Sequence, residues 1–399
     1  MHAALAIALL TACSGSPPAA PAVTLRDSAG IRIVEHSAEA FRRLPEWEIA
    51  AEAAVTVGGA GAPDDDLSEV AGGYLAPDGT IVVADAAARE IRVYSADGSI
   101  RRSLGRQGSG PGEFTIITSV WQQGDSTAVY DMSAKRLTVL PNDGSPPRVV
   151  PLGLTGLLES MQGAARGHLV TSRLDVQALL GVTSETERVP MHLLVITPDG
   201  EAIDTVATVQ GPAFYLPADS PGWSGPATVG LGPETRLLAV GDTILVATNE
   251  RFELVGYGLD GRPATIIRVA VPRRPVTQED VELSRRQAWE EFEARARNMP
   301  PEITAQYRSF LEAQRYAAHL PFVGSLAADA GGNIWVQEYP RPGDDADRFT
   351  IVGRDGALLA RATLPAGLEL LAAGNDRILG LSRDADGVQQ VRVHRLGRE

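Results

Sequence analysis

The sequence has very little cysteine. Its 399 residues include one, Cys13, so the rest of the chain forms no internal disulfide and no cysteine-based zinc site. Stability must therefore come from packing. A hydrophobic fraction of 44% is ample for a large core, and 41 glycines and 27 prolines indicate a chain rich in turns.

Lysine and net positive charge are also scarce. Lys135 is the only lysine, and the net charge at pH 7 is −14. This negative charge argues against electrostatic binding to nucleic acid or to anionic lipid headgroups. Nearly all of the positive charge is arginine, which we attribute to genomic codon bias rather than to phosphate recognition.

Long hydrophobic runs are absent as well. The apolar run at residues 3–10 is too short to span a bilayer. It leads into Leu10-Thr-Ala-Cys13, and the combination resembles a bacterial lipoprotein signal. The resemblance implies that residues 1–12 are a signal peptide and that Cys13 becomes the lipidated first residue; the alternative is a small buried cysteine. Residues 13–24 then form a Pro-rich tether to a membrane of the bacterial cell envelope, in the periplasm or at the cell surface.

The motifs of common catalytic sites are missing. The sequence has no Gly-x-Ser-x-Gly elbow, no His-Glu-x-x-His pair and no phosphate-binding loop. The six histidines are scattered along the chain, so none is predicted to be a base or a ligand. We therefore predict no catalytic residue and favour a binding role over an enzymatic one.

What the sequence does contain is a repeated strand pattern. In residues 75–104, the turn Asp78-Gly79 leads into a β-branched strand, and a further strand runs into Asp97-Gly98. The same strand recurs six times, as Thr80-Ile-Val-Val, Thr127-Ala-Val-Tyr, His168-Leu-Val-Thr, Thr243-Ile-Leu-Val, Asn333-Ile-Trp-Val and Arg377-Ile-Leu-Gly. Six units of about four strands predict an all-β fold, a six-bladed β-propeller.

The propeller is predicted to occupy residues 25–399. Its last blade lacks an outer strand, which would leave strand edges open. The β-prone N-terminal segments 30–34 and 54–57 are the candidates to supply this strand and close the ring. Residues 272–321 break the β pattern, with a capping box at Thr277 followed by apolar residues at helical spacing. This segment is predicted to be an α-helical hairpin inserted between blades four and five.

One junction carries a more specific motif. Leu104-Gly-Arg-Gln-Gly-Ser-Gly-Pro-Gly-Glu-Phe114 lies between blades one and two and leads into Val129-Tyr-Asp131. The motif resembles the signature of NHL-repeat propellers, and with the lipoprotein start the chain resembles a bacterial six-bladed propeller lipoprotein. The structural interpretation is that the glycines permit the crossing between blades and that Phe114 fills the space between them. Loop amides are then expected to donate to two aspartates with arginines nearby, namely Asp85 and Asp131 with Arg89 and Arg136.

Loop lengths distinguish the two faces of the predicted propeller. Connections between the second and third strands of a blade, and between blades, open on one face, and here they include every long connection. Long loops on a rigid scaffold commonly carry binding sites. We therefore predict that this face is the functional one and that the hairpin covers part of it.

The predicted ligand-binding residues lie in these connections. Phe214, Tyr215 and Trp223 cluster in one of them although aromatic residues make up only 5% of the chain, and such side chains stack on sugars or apolar ligands. The alternative is that they pack beneath the hairpin. Glu338 and Tyr339, at a strand end on the same side, are weaker candidates. The expected partner is a small molecule, a glycan or an envelope protein, and the propeller is expected to be a monomer.

The alternative function is a divalent-metal-dependent propeller hydrolase of the lactonase type, or a lyase. A calcium-dependent lactonase needs oxygen ligands that converge on the central channel. Glu69, Glu159 and Glu369 lie near the starts of inner strands, but their offsets from the following turns differ. We therefore predict no cofactor, with calcium as the alternative.

Overall fold

The computed structural model describes residues 22–59, 66–158, 161–217, 225–296, 299–384 and 387–398. Within these ranges the chain is mainly β, with 28 strands, four α-helices and one 3₁₀ turn at Ala165–Gly167. The strands are short and rich in valine, isoleucine and leucine, and Gly-containing turns separate them. No described helix has both the length and the apolar character needed to cross a membrane.

The N-terminal part contributes four strands and one short helix. These elements are β1 (Val23–Ser28), β2 (Ile31–His36), α1 (Ala38–Arg42), β3 (Glu46–Ile49) and β4 (Val55–Val57).

The remaining strands form six consecutive units, numbered 1 to 6, in which successive strands pair antiparallel. Unit 1 is β5 (Val70–Leu75), β6 (Ile81–Asp85), β7 (Glu90–Tyr94) and β8 (Ile100–Leu104). Unit 2 is β9 (Ile117–Gln123), β10 (Ser126–Asp131), β11 (Arg136–Pro141) and β12 (Arg148–Pro151). Unit 3 is β13 (Gln162–Gly163), β14 (Leu169–Leu174), β15 (Glu187–Ile196) and β16 (Ile203–Tyr215), extended by β17 (Ala227–Thr228), with α2 (Val176–Leu180) between β14 and β15.

The second half of the chain follows the same plan. Unit 4 is β18 (Arg236–Val240), β19 (Thr243–Ala247), β20 (Glu253–Gly258) and β21 (Pro263–Val269). Helices α3 (Gln278–Arg295) and α4 (Pro301–Ala313) come next. Unit 5 is β22 (Val323–Ala328), β23 (Ile334–Glu338), β24 (Arg348–Val352) and β25 (Leu358–Thr363), and unit 6 is β26 (Glu369–Ala373), β27 (Arg377–Arg383) and β28 (Gln389–Gly397).

The core lies between neighbouring units. The first strand of each unit contacts the first strand of the next, and β26 of unit 6 contacts β5 of unit 1. Apolar clusters fill the space between successive sheets: Tyr130 of unit 2 packs with Leu169 of unit 3, and Val83 of unit 1 packs with Leu379 of unit 6. Each such side chain stabilises the fold by about 1.5–3 kcal/mol on full burial. The contacts therefore pass from unit to unit and return to the first.

The N-terminal strands pair with units that lie far later in the chain. β4 pairs antiparallel with β28, with Val57 opposite Val391, so segment 54–57 completes unit 6 in the position predicted for an N-terminal strand. The prediction for segment 30–34 is wrong. β2 instead pairs parallel with β21, with Ile33 opposite Ile266, and this position at the outer edge of unit 4 buries Ile33 and Val34.

Strand β3 lies between the last two units. It pairs parallel with β25 of unit 5 and antiparallel with the end of β28 of unit 6. Together, β2, β3 and β4 place the N-terminal segment along the outer edges of units 4, 5 and 6.

The Gly-rich connection between units 1 and 2 is held by buried residues. Phe114 is fully buried in a cluster with Ile91 and Val129, one from each unit. Asp131 is also buried and accepts hydrogen bonds at 2.7, 3.2 and 2.9 Å from the N–H groups of Thr115, Ile116 and Ala134. Arg136 donates to three carbonyls of the connection, those of Ser109, Gly110 and Glu113.

Asp85 has the equivalent position in unit 1, but the arginine next to its carboxylate is not Arg89, which was predicted to lie there. Its carboxylate accepts from the N–H groups of Ser68, Glu69 and Ala88. The arginine beside it is Arg92, at 3.6 Å, whereas Arg89 donates to backbone carbonyls. Both aspartates therefore fix loop backbone.

Asp-Gly turns lie at the opposite end of the units from these connections. In the turn of unit 4, Gly261 has φ +77°, a left-handed conformation that favours glycine. A Cβ atom at this position would also overlap the carbonyl group of Val206 in unit 3. Glycine is therefore needed both for the backbone angle and for the contact between units.

Candidate functional site

Long connections are concentrated at one end of the units, which we call the long-connection end. Because successive strands are antiparallel, the turns after the first and third strands lie at one end and those after the second and fourth strands at the other. The second set contains residues 175–186, 270–322 and 339–347. Side chains from several units therefore meet at this end.

Helices α3 and α4 form a hairpin within the 270–322 connection. Thr277 and Asp280 form a capping box at the start of α3, in which each side chain accepts a hydrogen bond from the other residue's N–H. The rings of Phe292 and Tyr307 stack between the helices with centroids 4.2 Å apart. Residues 314–322, the return segment, then lead from α4 to unit 5.

The hairpin is anchored to unit 5. Asp280 is buried and forms an ion pair with Arg341 of the 339–347 connection. Arg274, before α3, donates from Nη2 to the carbonyl groups of Pro321 at 3.2 Å and Tyr339 at 2.6 Å. The entry and return segments are therefore held to each other and to the same unit.

The Asp280 ion pair is expected to make stability depend on pH. Burial opposes ionisation of Asp280, but hydrogen bonds from Thr277 and Arg341 outweigh it and hold the pKa below its usual 3.8. A carboxyl whose folded-state pKa is lowered contributes stability that is complete above about pH 4 and is lost as the pH falls through the folded-state value.

We therefore expect Asp280→Asn to lower the free energy of unfolding at pH 7 by about 1–3 kcal/mol. In urea unfolding measured from about pH 6 down to about pH 3, the difference from the natural chain should shrink. Glu279→Gln, exposed in the same turn, is the control and should cost less than about 0.5 kcal/mol. A difference for Asp280→Asn that stays constant with pH would show that the ion pair is not its cause.

Tyr215 packs beneath the hairpin. Its side chain is 1% exposed and lies in a cluster with Val229, Phe310 and Leu311. Its hydroxyl accepts a hydrogen bond from the N–H of Arg315 at 3.1 Å. This is the packing alternative, so Tyr215 is removed from the candidate ligand-binding residues.

The other two aromatic candidates differ. Phe214 is half-buried in β16, opposite Glu187 and Thr228 of the neighbouring strands. Trp223 lies outside the described residues.

A cavity of about 590 Å³ lies between unit 3, unit 4 and the return segment. We call it the hairpin cavity. This volume is typical of small-molecule sites, which span roughly 300–1,000 Å³. Its polar lining residues are Thr186, Arg188, Asn249, Glu250, Arg273, Tyr316 and His319.

Arg188 is the most constrained cation of the hairpin cavity. Its side chain is 15% exposed, and Nη1 lies 3.8 Å from Oε1 of Glu250. Burial lowers the pKa of Arg188 and Glu250 opposes the shift, yet arginine stays protonated at neutral pH. Nε and Nη2 donate to four acceptors, the carbonyls of Gly211, Gln210 and Thr248 and the hydroxyl of Thr235. Nη1 is thus the guanidinium nitrogen that these bonds leave for another acceptor.

Arg273 and Tyr316 add a second cation and a phenol. Arg273 is exposed and donates from Nη2 to the carbonyl of Glu250 at 2.8 Å. The Tyr316 hydroxyl is buried and has no hydrogen-bond partner among the described residues. Its ring lies against Gly230, where a Cβ atom would come within 2.6 Å of a ring carbon. Gly230 therefore sets the position of this wall.

Asn249 is a buried member of the cavity wall that was not predicted from the sequence. It is 5% exposed and follows β19 with φ +66°. Its Nδ2 donates to the carbonyls of Glu234 at 2.7 Å and Val323 at 2.9 Å. Its Oδ1 accepts from the N–H groups of Phe322 at 3.2 Å and Val323 at 2.7 Å. Asn249 therefore fixes the return segment to unit 4.

Glu338 and Tyr339 do not line the hairpin cavity. Both are partly buried at the end of β23. Burial raises the pKa of Tyr339, and the charge of Glu234 acts in the same direction. Glu338 lines a second cavity of about 310 Å³ on the other side of the return segment. The sequence candidates are therefore separated rather than gathered in one site.

The carboxylates considered for calcium are also separated. Glu69 and Glu369 are exposed, Glu369 pairs with Arg383 at 3.2 Å, and Glu159 lies outside the described residues. Burial raises the pKa of Asp347, a hydrogen bond with Gln337 opposes this, and the charge of Glu369 adds to it. In the part of the chain that the structure describes, no group of three or more His, Cys, Asp or Glu residues is placed to hold a metal ion.

No protein-family model and no curated protein matches this chain. Among solved structures, a protein of Bacteroides fragilis described as exported is 11% identical, covering 92% of this chain and 99% of its own, with a TM-score of 0.48. The PQQ-bound aldose sugar dehydrogenase of Streptomyces coelicolor is 12% identical over 88% and 99%, with a TM-score of 0.43. Regucalcin, a calcium-binding protein of Agrobacterium tumefaciens, is 12% identical over 87% and 96%, with a TM-score of 0.40. At these identities and TM-scores, the similarity carries no argument about what this chain does.

Proposed function

We propose that the chain is an exported six-bladed β-propeller, anchored to the cell envelope through Cys13, that binds a small polar ligand without catalysing a reaction. Six units whose first strands contact one another in turn, with β26 against β5, support the closed ring. The apolar run at 3–10, followed by Leu10-Thr-Ala-Cys13, supports the anchor. The return segment, which follows the helical hairpin inserted between blades four and five, forms one wall of the binding site.

The geometry of Arg188 carries the proposal for the ligand. Its Nε and Nη2 are fixed by protein acceptors, whereas Nη1 has only the long ion pair with Glu250, at 3.8 Å, and can still donate to an acidic group of a ligand. Arg273 supplies a second cation, while Glu250 and the Tyr316 hydroxyl suit neutral hydroxyl groups. A sugar acid carries one carboxylate and several hydroxyls, so it matches this set. We therefore propose a sugar acid as the ligand class.

Glucuronate is the probe that tests this proposal, and glucose is its neutral counterpart. By isothermal titration calorimetry, we expect saturable binding of glucuronate and at least about tenfold weaker binding of glucose, because a charge-assisted hydrogen bond contributes about 1.5–3 kcal/mol. Arg273→Ala should weaken glucuronate by a similar factor. This residue is exposed, so the substitution should leave the fold intact.

Arg262→Ala is the matched control. Arg262 is 88% exposed and lies in the Asp-Gly turn of unit 4, at the opposite end from the cavity. It should bind glucuronate as the natural chain does, whereas Gly230→Ala should weaken binding by displacing Tyr316. Equal affinity for glucose and glucuronate, or no saturable binding of either, would overturn the proposed ligand class.

A further inference from the structure

The second cavity, of about 310 Å³, has a different chemistry from the hairpin cavity. We call it the phenylalanine cavity. It lies where α1 meets units 4 and 5, and Phe322 of the return segment lines both cavities. Its walls include Phe41 of α1, Phe252 of unit 4, Phe322, Val271 and Pro272. The lining is therefore largely aromatic and apolar.

The phenylalanine rings give this cavity a defined shape. Phe41 and Phe252 meet edge to face, with ring centroids 6.0 Å apart and an interplanar angle of 82°. Both belong to the buried cluster between units 4 and 5, and Phe322 packs against it. Because these rings are held by the core, the cavity is pre-formed rather than created by a mobile loop.

Three arginines line the phenylalanine cavity, and two of them are engaged elsewhere. Arg42 pairs with Glu39 at 2.7 Å. Arg274 donates to the carbonyls of Pro321 and Tyr339. Glu338, which also lines the cavity, interacts with the charge of Arg274. The charges of these residues are therefore largely balanced by neighbours.

Arg361 is the cation without such a partner. Its Cζ lies 4.2 Å from the centroid of the Phe41 ring. Its Nε is buried and has no hydrogen-bond partner in the part of the chain that the structure describes. Among the described residues, no carboxylate oxygen lies within 4.0 Å of its guanidinium nitrogens. A guanidinium that is half-buried against an aromatic ring is stabilised when an anion completes its hydrogen bonds.

We propose that the phenylalanine cavity binds a small aromatic monocarboxylate, with its ring against Phe41, Phe252 and Phe322 and its carboxylate on Arg361. The volume lies at the low end of the range for ligand sites, roughly 300–1,000 Å³, which fits one ring with a short acidic side chain. The negative charge of Glu338 in the lining disfavours a ligand with two negative charges. This site does not depend on the proposed sugar-acid site.

Phenylacetate and its neutral analogue 2-phenylethanol test the proposal on the natural protein. By isothermal titration calorimetry we expect saturable binding of phenylacetate, at least tenfold weaker binding of 2-phenylethanol, and at least tenfold weaker binding of acetate, which lacks the ring. Arg361→Met, which keeps most of the side-chain stem over Phe41, should weaken phenylacetate at least tenfold. Because the comparison of probes needs no variant, a failure of Arg361→Met to fold leaves the test intact.

Two control variants separate this site from other binding. Arg262→Met, in an exposed turn at the opposite end, and Arg273→Ala, in the hairpin cavity, should both bind phenylacetate with the natural affinity. Absence of saturable phenylacetate binding, equal affinity for 2-phenylethanol, or unchanged affinity in a folded Arg361→Met variant would each overturn the proposal. If Arg273→Ala weakened phenylacetate, the ligand would lie in the hairpin cavity, which would also overturn it.

Discussion

Asn249→Ala is expected to lower the free energy of unfolding by about 3–5 kcal/mol. The side chain makes four hydrogen bonds to backbone groups of Glu234, Phe322 and Val323, at 2.7–3.2 Å. Alanine would leave these groups in a buried position without partners, and each unpaired group costs about 1–3 kcal/mol. Relaxation of the return segment keeps the total loss of stability below the sum of these costs. The same relaxation should deform the hairpin cavity and reduce glucuronate binding.

Asn249→Gly distinguishes the loss of the side-chain hydrogen bonds from the strain of the backbone conformation. Residue 249 has φ +66°, which glycine adopts without strain and alanine does not. If the hydrogen bonds dominate, urea unfolding should show a loss of at least about 2 kcal/mol for the glycine variant as well. A glycine variant as stable as the natural chain would mean that the backbone conformation, and not the four hydrogen bonds, explains why asparagine occupies this position.

Tyr215→Ala is expected to destabilise the protein by a similar amount, about 3–5 kcal/mol, because it removes a fully buried aromatic ring and leaves a cavity. The loss should be concentrated where the hairpin meets unit 3, since the ring packs on Phe310 and Leu311. Relative to the natural chain, the variant should therefore show a larger increase in hydrogen-exchange rate in α4 than in unit 1. Calorimetric or urea unfolding measures the overall change.

Two matched variants complete this test. Tyr215→Phe removes only the hydrogen bond from the N–H of Arg315 and should cost about 0.5–1.5 kcal/mol. Phe214→Ala, at a half-buried position, should cost less than Tyr215→Ala. Natural stability in Tyr215→Ala would contradict the packing role and return Tyr215 to the ligand-binding residues.

The strands themselves were largely predictable from the sequence, but their partners were not. Alternating apolar residues and Asp-Gly turns act over a few residues, so they indicate strands and hairpins directly. The choice of partner for segments 30–34 and 54–57 depends on which edges remain unpaired after the six units form. Both segments have the same β-prone pattern, so their local sequence does not indicate which one pairs with unit 4 and which with unit 6.

The candidate site was harder to predict for the same reason. Tyr215 was proposed as a ligand contact because aromatic residues are rare, but whether a helix covers it depends on tertiary packing. Arg188 belongs to no motif, since its acceptors are mostly backbone carbonyls from other strands. Asn249 did leave a signal. It is a polar residue just after the second strand of its unit, close to the place that Asp85 and Asp131 take in units 1 and 2.

The pairing of the N-terminal strands also constrains the order in which the molecule can assemble. Glu35 of β2 bonds to Arg268 across 233 positions, and Glu46 of β3 bonds to Thr363 across 317 positions. As the chain emerges, β2 must therefore wait for unit 4 and β3 for unit 5, with apolar residues such as Ile33 and Val34 uncovered in the meantime. Such long-range pairing is slow and exposes the nascent chain to aggregation. The joining of β2, β3 and β4 to units 4, 5 and 6 should therefore be a late stage of assembly.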